Sequence, residues 1–283
     1  MATTRQIFVA SKDGTQICVD AKGDPSKPCI VFVHGMSTGM GCFDEIFADP
    51  VWVAQVFLVR YDIRGHGMSP VDTEDSSKWE SSRFVEDFDA VIQHFGVTRP
   101  FFAGWSYGCS IPVDILTLHD PTYLSGLILM GPLPFVAFHD AVRPAALDAV
   151  PGITNYTDVA LFKSATTTWI DSITVKPMSY STRLTILGAV LLQPGKAFNV
   201  AFARPQDAET LPRVAATGNL PLLLVLGKHD RVVYSPKVRE YYENTLQWVG
   251  LEVADIDGGH AMWLDSLDQV RESVLGFVAR QIN

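Results

Sequence analysis

The sequence predicts an α/β fold, a mostly parallel sheet covered on both faces by helices. Three observations carry it. Short apolar runs alternate with helical patterns along most of the 283 residues. One of those runs, Leu220-Pro221-Leu222-Leu223-Leu224-Val225-Leu226-Gly227, is apolar almost throughout, as strands buried on both faces are. In Gly104-Trp105-Ser106-Tyr107-Gly108, a serine flanked by glycines stands where an apolar run gives way to a helix-like pattern.

Taken in order, residues 6–9 and 16–19 flank Asp13-Gly14 and read as a hairpin. Strands follow at 28–33, 56–61, 100–104, 125–130, 221–226 and 251–256. Helices are expected at 81–95, 107–118, 236–246 and 264–280. Between two strands that such a framework would connect quickly lies a long stretch, residues 132–219. Prolines at 132, 134, 144, 151, 177, 194, 205 and 212 cut it into short pieces, and it is rich in aromatics. A structureless loop of that length is improbable in a compact domain. Residues 1–131 and 220–283 are therefore read as the core, and 132–219 as an inserted helical lid.

The glycines around Ser106 suit a sharp strand-to-helix turn in which bulkier neighbours would collide with the adjacent strand or helix. A serine hydroxyl is a weak nucleophile until a base takes its proton. Of the seven histidines, His260 follows Asp257-Gly258-Gly259 on a glycine-loosened loop after the last strand. The base needs a carboxylate to fix its tautomer. Asp230, in Lys228-His229-Asp230, ends the apolar 221–226 strand, where open α/β sheets build their sites. Asp255 and Asp257 compete, but so near His260 that strand geometry makes them less natural partners. Gly35, after His34, allows a tight turn that presents the Met36 N–H. With the Tyr107 N–H it forms a candidate oxyanion hole. His34 itself is read as structural. Phe138, Trp169, Trp105, Met262 and Trp263 are candidate pocket residues, although any lid aromatic also has a packing role available to it.

Four motifs, His34-Gly35-Met36, Tyr61-Asp62-Ile63-Arg64-Gly65-His66-Gly67-Met68-Ser69, the Ser106 pentapeptide, and Gly227-Lys228-His229-Asp230 with Gly259-His260, arrive in one order over nearly the whole chain. In these the chain resembles the α/β-hydrolase superfamily, of the single-domain type with a lid. The resemblance implies a Ser106–Asp230–His260 triad, with Arg64 and His66 supporting their loop. Serine at the elbow departs from haloalkane dehalogenases and the related epoxide hydrolases. His-Gly-Met departs from lipases and esterases with a Gly-Gly-Gly oxyanion motif. The expected activity is hydrolysis of a small carboxylic ester, lactone or thioester with an apolar acyl part, without metal or organic cofactor. Carbon–carbon bond hydrolases and cofactor-free perhydrolases share the triad, and some members of the fold are small-molecule receptors, so these stand as alternatives.

Composition is compatible with this reading. The apolar fraction of 47% supports a large core, and a net charge of −9 with no basic cluster disfavours nucleic acid as a partner. No apolar run approaches the roughly 20 residues of a membrane span. The amino-terminal stretch lacks a basic-then-apolar signal pattern, so a reducing cytoplasmic setting is expected. Cys18, Cys29, Cys42 and Cys109 have no metal-ligand spacing and are expected to be free thiols.

Overall fold

The apolar runs become eight strands in the computed structural model, which describes residues 7–282. They are β1 (Ile7–Ala10), β2 (Gln16–Lys22), β3 (Cys29–Val33), β4 (Phe57–Tyr61), β5 (Phe101–Trp105), β6 (Gly126–Met130), β7 (Leu222–Gly227) and β8 (Leu251–Ile256). Gln6, expected in the first strand, lies outside the described residues. The strands form one sheet in the order β1-β2-β4-β3-β5-β6-β7-β8. β1 pairs antiparallel with β2, and β2 with β4. Every later pair is parallel. This is the α/β-hydrolase architecture that the sequence predicts.

Burial explains the composition of each strand. β3, β5, β6 and β7 are buried along their whole length because helices cover both faces, so they read CIVFV, FFAGW, GLILM and LLLVLG. β8 is the far edge, is half-exposed for most of its length, and carries charge. Its Asp255 pairs with Arg239 and its Glu252 with Arg280, which blunts the edge against further strand pairing.

The helices between strands are α1 (Asp44–Ala48), α2 (Pro50–Gln55), α3 (Ser81–His94) and α4 (Ile111–Leu118). Five more lie between β6 and β7: α5 (Pro144–Ile153), α6 (Val159–Ser172), α7 (Tyr180–Leu192), α8 (Ala197–Ala203) and α9 (Thr210–Thr217). α10 (Ser235–Glu240), α11 (Met262–Asp265) and α12 (Leu267–Ile282) complete the described chain. Three helices depart from the expected spans. The one after β5 opens with a tight 3₁₀ turn over Ser106–Ser110 before α4 begins. The expected 236–246 helix widens after α10 into a π turn, Tyr241–Thr245. That extra residue lets Tyr241 pack on Phe138 while the next residue, Tyr242, is buried near Trp248. The expected 264–280 helix starts earlier and breaks at Ser266, whose hydroxyl donates to the Asp257 carbonyl at 2.7 Å.

Within residues 132–219 the prolines largely act as punctuation. Pro144 opens α5, and Pro177, Pro194 and Pro205 fall between helices. Pro151 and Pro212 lie inside helices instead. α9 packs on the body, with the Thr210 hydroxyl 2.7 Å from that of Thr117 on α4 and Arg213 donating to the Leu116 carbonyl. The segment after α6 is tied to α11 and the loop before it. Ala261 N–H donates to the Ile173 carbonyl at 2.8 Å, and the Asp265 carboxylate accepts the N–H groups of Val175, Lys176 and Gly259. Among the described residues no single helix is long and apolar enough to cross a membrane.

Candidate active site

Ser106 stands at the end of β5 with φ +53°, in the left-handed region that residues other than glycine seldom occupy. The flanking glycines make the turn possible. A Cβ on Gly108 would lie 2.4 Å from the Val33 carbonyl oxygen, and one on Gly104 would lie 2.9 Å from the Cys109 backbone. The Leu133 N–H, just past β6, donates to the Ser106 carbonyl at 3.1 Å and holds the turn from the other side.

At the ends of β7 and β8 the chain brings Asp230 and His260 together. His260 Nδ1 donates to Asp230 Oδ2 at 2.8 Å, and both side chains are buried. The other carboxylate oxygen of Asp230 accepts the N–H groups of Val232 and Val233, each at 2.8 Å. The carboxylate is thereby fixed in plane before it meets the imidazole. Gly131, with φ +50°, leaves room for the pair, since a Cβ there would lie 3.1 Å from His260 Nδ1 and 3.2 Å from Asp230 Oδ2. His260 Nε2 is buried and has no protein partner. Trp105, the residue before Ser106, donates its indole N–H to the His260 carbonyl at 2.9 Å and so sets the imidazole loop beside the elbow. Asp255 and Asp257 are engaged elsewhere, with Arg239 and with His229.

A cavity of about 370 Å³ opens onto Ser106, and Met36 and Tyr107 share its wall. In the loop after β3, a Cβ on Gly35 would lie 3.1 Å from the Ser106 Cβ, so glycine keeps this approach free of crowding. The histidines behind that loop are held neutral. His34 Nδ1 donates to the Gly35 carbonyl while Nε2 accepts the Ile63 N–H, and burial pushes its pKa down to about 4. His66 Nδ1 donates to the Arg64 carbonyl and Nε2 accepts from the Gln193 amide, with burial pushing its pKa down to about 3. Arg64 is itself buried, paired with Asp87 and Asp13. These groups brace the loop.

Of the five candidate pocket residues, the structure brings only Trp169 to the cavity. Phe138 packs on Phe135 and Tyr241 instead. Trp105, Met262 and Trp263 are core residues behind the site. Trp105 meets Trp263 edge-on at 5.0 Å, and the Trp263 indole N–H donates to the Cys42 carbonyl. Their nearness in sequence to Ser106 and His260 misleads. Trp105 is the last residue of β5, where successive side chains point to opposite faces, and Met262 and Trp263 open α11 with both side chains buried. The sequence reading missed Leu133, Val142, Val232 and Val233 and the α5 residues Ala146, Leu147, Val150 and Ile153, and among the lid aromatics it did not single out Phe198 and Phe202 of α8. A signal for α5 was present: positions 146, 150 and 153 recur at helical spacing on one face. Apart from Ser37, Ser106, Tyr107 and His139, the lining is aliphatic or aromatic. Among the described residues no group of three or more His, Cys, Asp or Glu side chains is placed to hold a metal ion.

This architecture is shared with known proteins. The Rhodococcus esterase RhEst1 has the same fold at a TM-score of 0.85, with 22% identity over 97% of this chain and 98% of that one. The N-acyl homoserine lactonase AidH, solved with N-butanoyl homoserine, superposes at 0.76, with 17% identity over 98% and 96% of the two chains. In sequence, the Mycobacterium tuberculosis protein named "Probable oxidoreductase EphD" is 35% identical over 102 residues, 35% of this chain but only 17% of that protein. The family model described as the alpha/beta hydrolase family matches residues 30–273. The chain belongs to the alpha/beta hydrolase family.

Proposed function

We propose that the chain is a serine hydrolase that cleaves a small carboxylic ester, lactone or thioester with an apolar acyl part. The observation that carries this reading is the buried Asp230–His260 hydrogen bond beside the elbow of Ser106, with His260 Nε2 left unpartnered. A neutral imidazole that donates from Nδ1 to a carboxylate presents Nε2 as the acceptor, which is the state a general base needs.

In this reading His260 Nε2 takes the Ser106 proton as the hydroxyl oxygen attacks the acyl carbon. Negative charge develops on the carbonyl oxygen and is met by the N–H groups of Met36 and Tyr107. Asp230 stabilises the imidazolium and fixes its ring. His260 then returns the proton to the leaving oxygen or sulfur. Water attacks the acyl enzyme by the same route in reverse and releases the acid. The helices of residues 132–219 serve as the lid, whose apolar wall receives the acyl part and excludes water. The names of the esterase and lactonase that share the fold support the substrate class.

Incubation with a fluorophosphonate and intact mass spectrometry test the assignment. One adduct, mapped to Ser106 and absent from Ser106→Ala, is expected. Undiminished labelling of the alanine variant would overturn it.

A further inference from the structure

An arginine within the insertion, between α8 and α9, reaches the residue next to Ser106. Arg204 follows α8 directly, is 3% exposed, and spends all its hydrogen-bonding capacity inside the protein. Nε and one Nη2 hydrogen go to Asp114 Oδ2 on α4, at 3.2 and 2.9 Å. The other Nη2 hydrogen goes to the Ser110 hydroxyl at 2.9 Å, and Nη1 donates to the Ala201 carbonyl and to the Tyr107 hydroxyl. The guanidinium lies 4.3 Å from the centre of the Phe84 ring and 5.1 Å from that of Tyr107. Gln206, two residues on, continues the network by donating to Asp114 Oδ1 and to the Ser110 carbonyl.

Two of these contacts converge on one residue. The Ser110 hydroxyl that accepts from Arg204 donates to the Tyr107 carbonyl at 2.8 Å. Tyr107 is thus gripped at its phenol by Arg204 directly and at its backbone through Ser110. Its ring also packs against Phe202, 5.2 Å away, which lines the cavity two residues before Arg204. A planar cation with five donors imposes such a geometry, whereas an ammonium with three rotatable donors imposes it poorly.

We propose that Arg204 is a positioning residue: set in the insertion and paired with Asp114, it holds Tyr107 so that the Tyr107 N–H stays aimed at the developing oxyanion. This rests on the hydrolase reading above and adds that the insertion takes part in transition-state stabilisation as well as in shaping the pocket. Arg204 touches no reacting atom. Its influence passes through Tyr107, so it belongs in kcat more than in KM.

The test compares the full-length wild type with Arg204→Lys, which keeps a cation beside buried Asp114, and with Tyr107→Phe, which keeps the ring and the N–H. Kinetics with p-nitrophenyl butyrate are paired with two inhibitors of matched chain. One is a trifluoromethyl ketone, whose serine adduct carries an oxyanion, and the other is the corresponding amide, which stays in the ground state. Removing a whole oxyanion donor lowers kcat by about 100- to 1,000-fold, and misplacing one should cost Arg204→Lys about 10- to 100-fold. KM should move less than about threefold, and trifluoromethyl ketone affinity should fall in step with kcat/KM while amide affinity holds. Tyr107→Phe should show the same pattern more weakly. If Arg204→Lys does not fold, Arg204→Met with Asp114→Leu, which removes both buried charges together, takes its place with the same expectation. Losses confined to KM, equal weakening of both inhibitors, or unchanged kinetics in folded variants would overturn the inference and leave the hydrolase reading standing. A wild type without turnover or Ser106 labelling would instead overturn that reading, and this inference with it.

Discussion

The two sides of the cavity are built by different means. On the sheet side, Ser106, Asp230 and His260 sit at or just beyond strand ends. Ser106 is held by the Leu133 N–H, Asp230 by the Val232 and Val233 N–H groups, and His260 by the Trp105 indole and Asp230, with tightly packed glycines around them. On the insertion side, the wall is made of Ala146, Val150, Trp169, Phe198 and Phe202, which contribute apolar surface from helices. Strand ends give positional accuracy, which bond chemistry needs. Helix faces give shape, which tolerates substitution and sets what fits. On the proposed function, the difference assigns rate to one side and selectivity to the other, with Arg204 proposed as the crossing point.

The division breaks most visibly at the sheet side. Ser106→Ala should lower kcat by about 10⁴-fold or more, since only the oxyanion donors and binding remain. Asp230→Asn should keep the fold but lower kcat by roughly 10³- to 10⁴-fold, because the amide favours the wrong imidazole tautomer. An Asp257→Asn variant that proves equally damaging would move the acid from Asp230.

Acid should weaken the bracing behind the Gly35 loop as the two buried imidazoles are driven to take up protons. His34 and His66 have folded pKa values depressed to about 4 and about 3, below an unfolded value near 6.5. The unfolded chain therefore binds more protons than the folded one just below pH 6.5. The stability contributed by the neutral rings is present above that pH and is lost as pH falls toward their folded values. For the pair this amounts to about 3 kcal/mol between pH 6.5 and pH 5. Urea unfolding at both pH values measures it, and a flat profile would mean that the rings are not held neutral.

On the insertion side, Trp169→Ala and Phe202→Ala should reorder p-nitrophenyl esters of different chain length, shifting discrimination by about 1–3 kcal/mol. Fluorophosphonate labelling of Ser106 in Trp169→Ala should stay near the wild-type rate. Equal slowing of every ester would count against a wall that selects. The smallest effect is expected at Phe138, which packs on Phe135 and Tyr241 away from the cavity. Phe138→Ala should leave the chain-length ranking within about twofold while lowering unfolding free energy by about 1–2 kcal/mol, since the ring is only partly buried.

What the sequence disclosed follows the same line between the two sides. The parallel strands were legible because burial on both faces demands unbroken apolar runs, and β7 shows this most clearly. The partnership of Asp230 with His260 was legible because strand ends meet at one sheet edge whatever the helices do. Of the cavity's apolar wall, Trp169 was legible and most of the rest was not. Trp105 and Trp263 adjoin candidate chemistry in sequence yet point into the core, and Phe198 and Phe202 adjoin nothing recognisable yet line the cavity. Which face of an inserted helix turns inward depends on tertiary packing. Local pattern carries that only where spacing is regular, as along α5.

The stitch between Ile173–Lys176 and the loop of His260 and Asp265 decides how the insertion breathes. A ribbon held only at its ends would swing away as one flap. Pinned near its middle, it becomes two shorter loops, bridged only at the pin's flank by Arg183 and Asp171, and the entropy released by opening either is smaller than that of the whole. Amide exchange should then divide the insertion at this point. Protons on α5 and α7 should trade with solvent at independent rates, and the Ala261 amide should be among the slowest of the region.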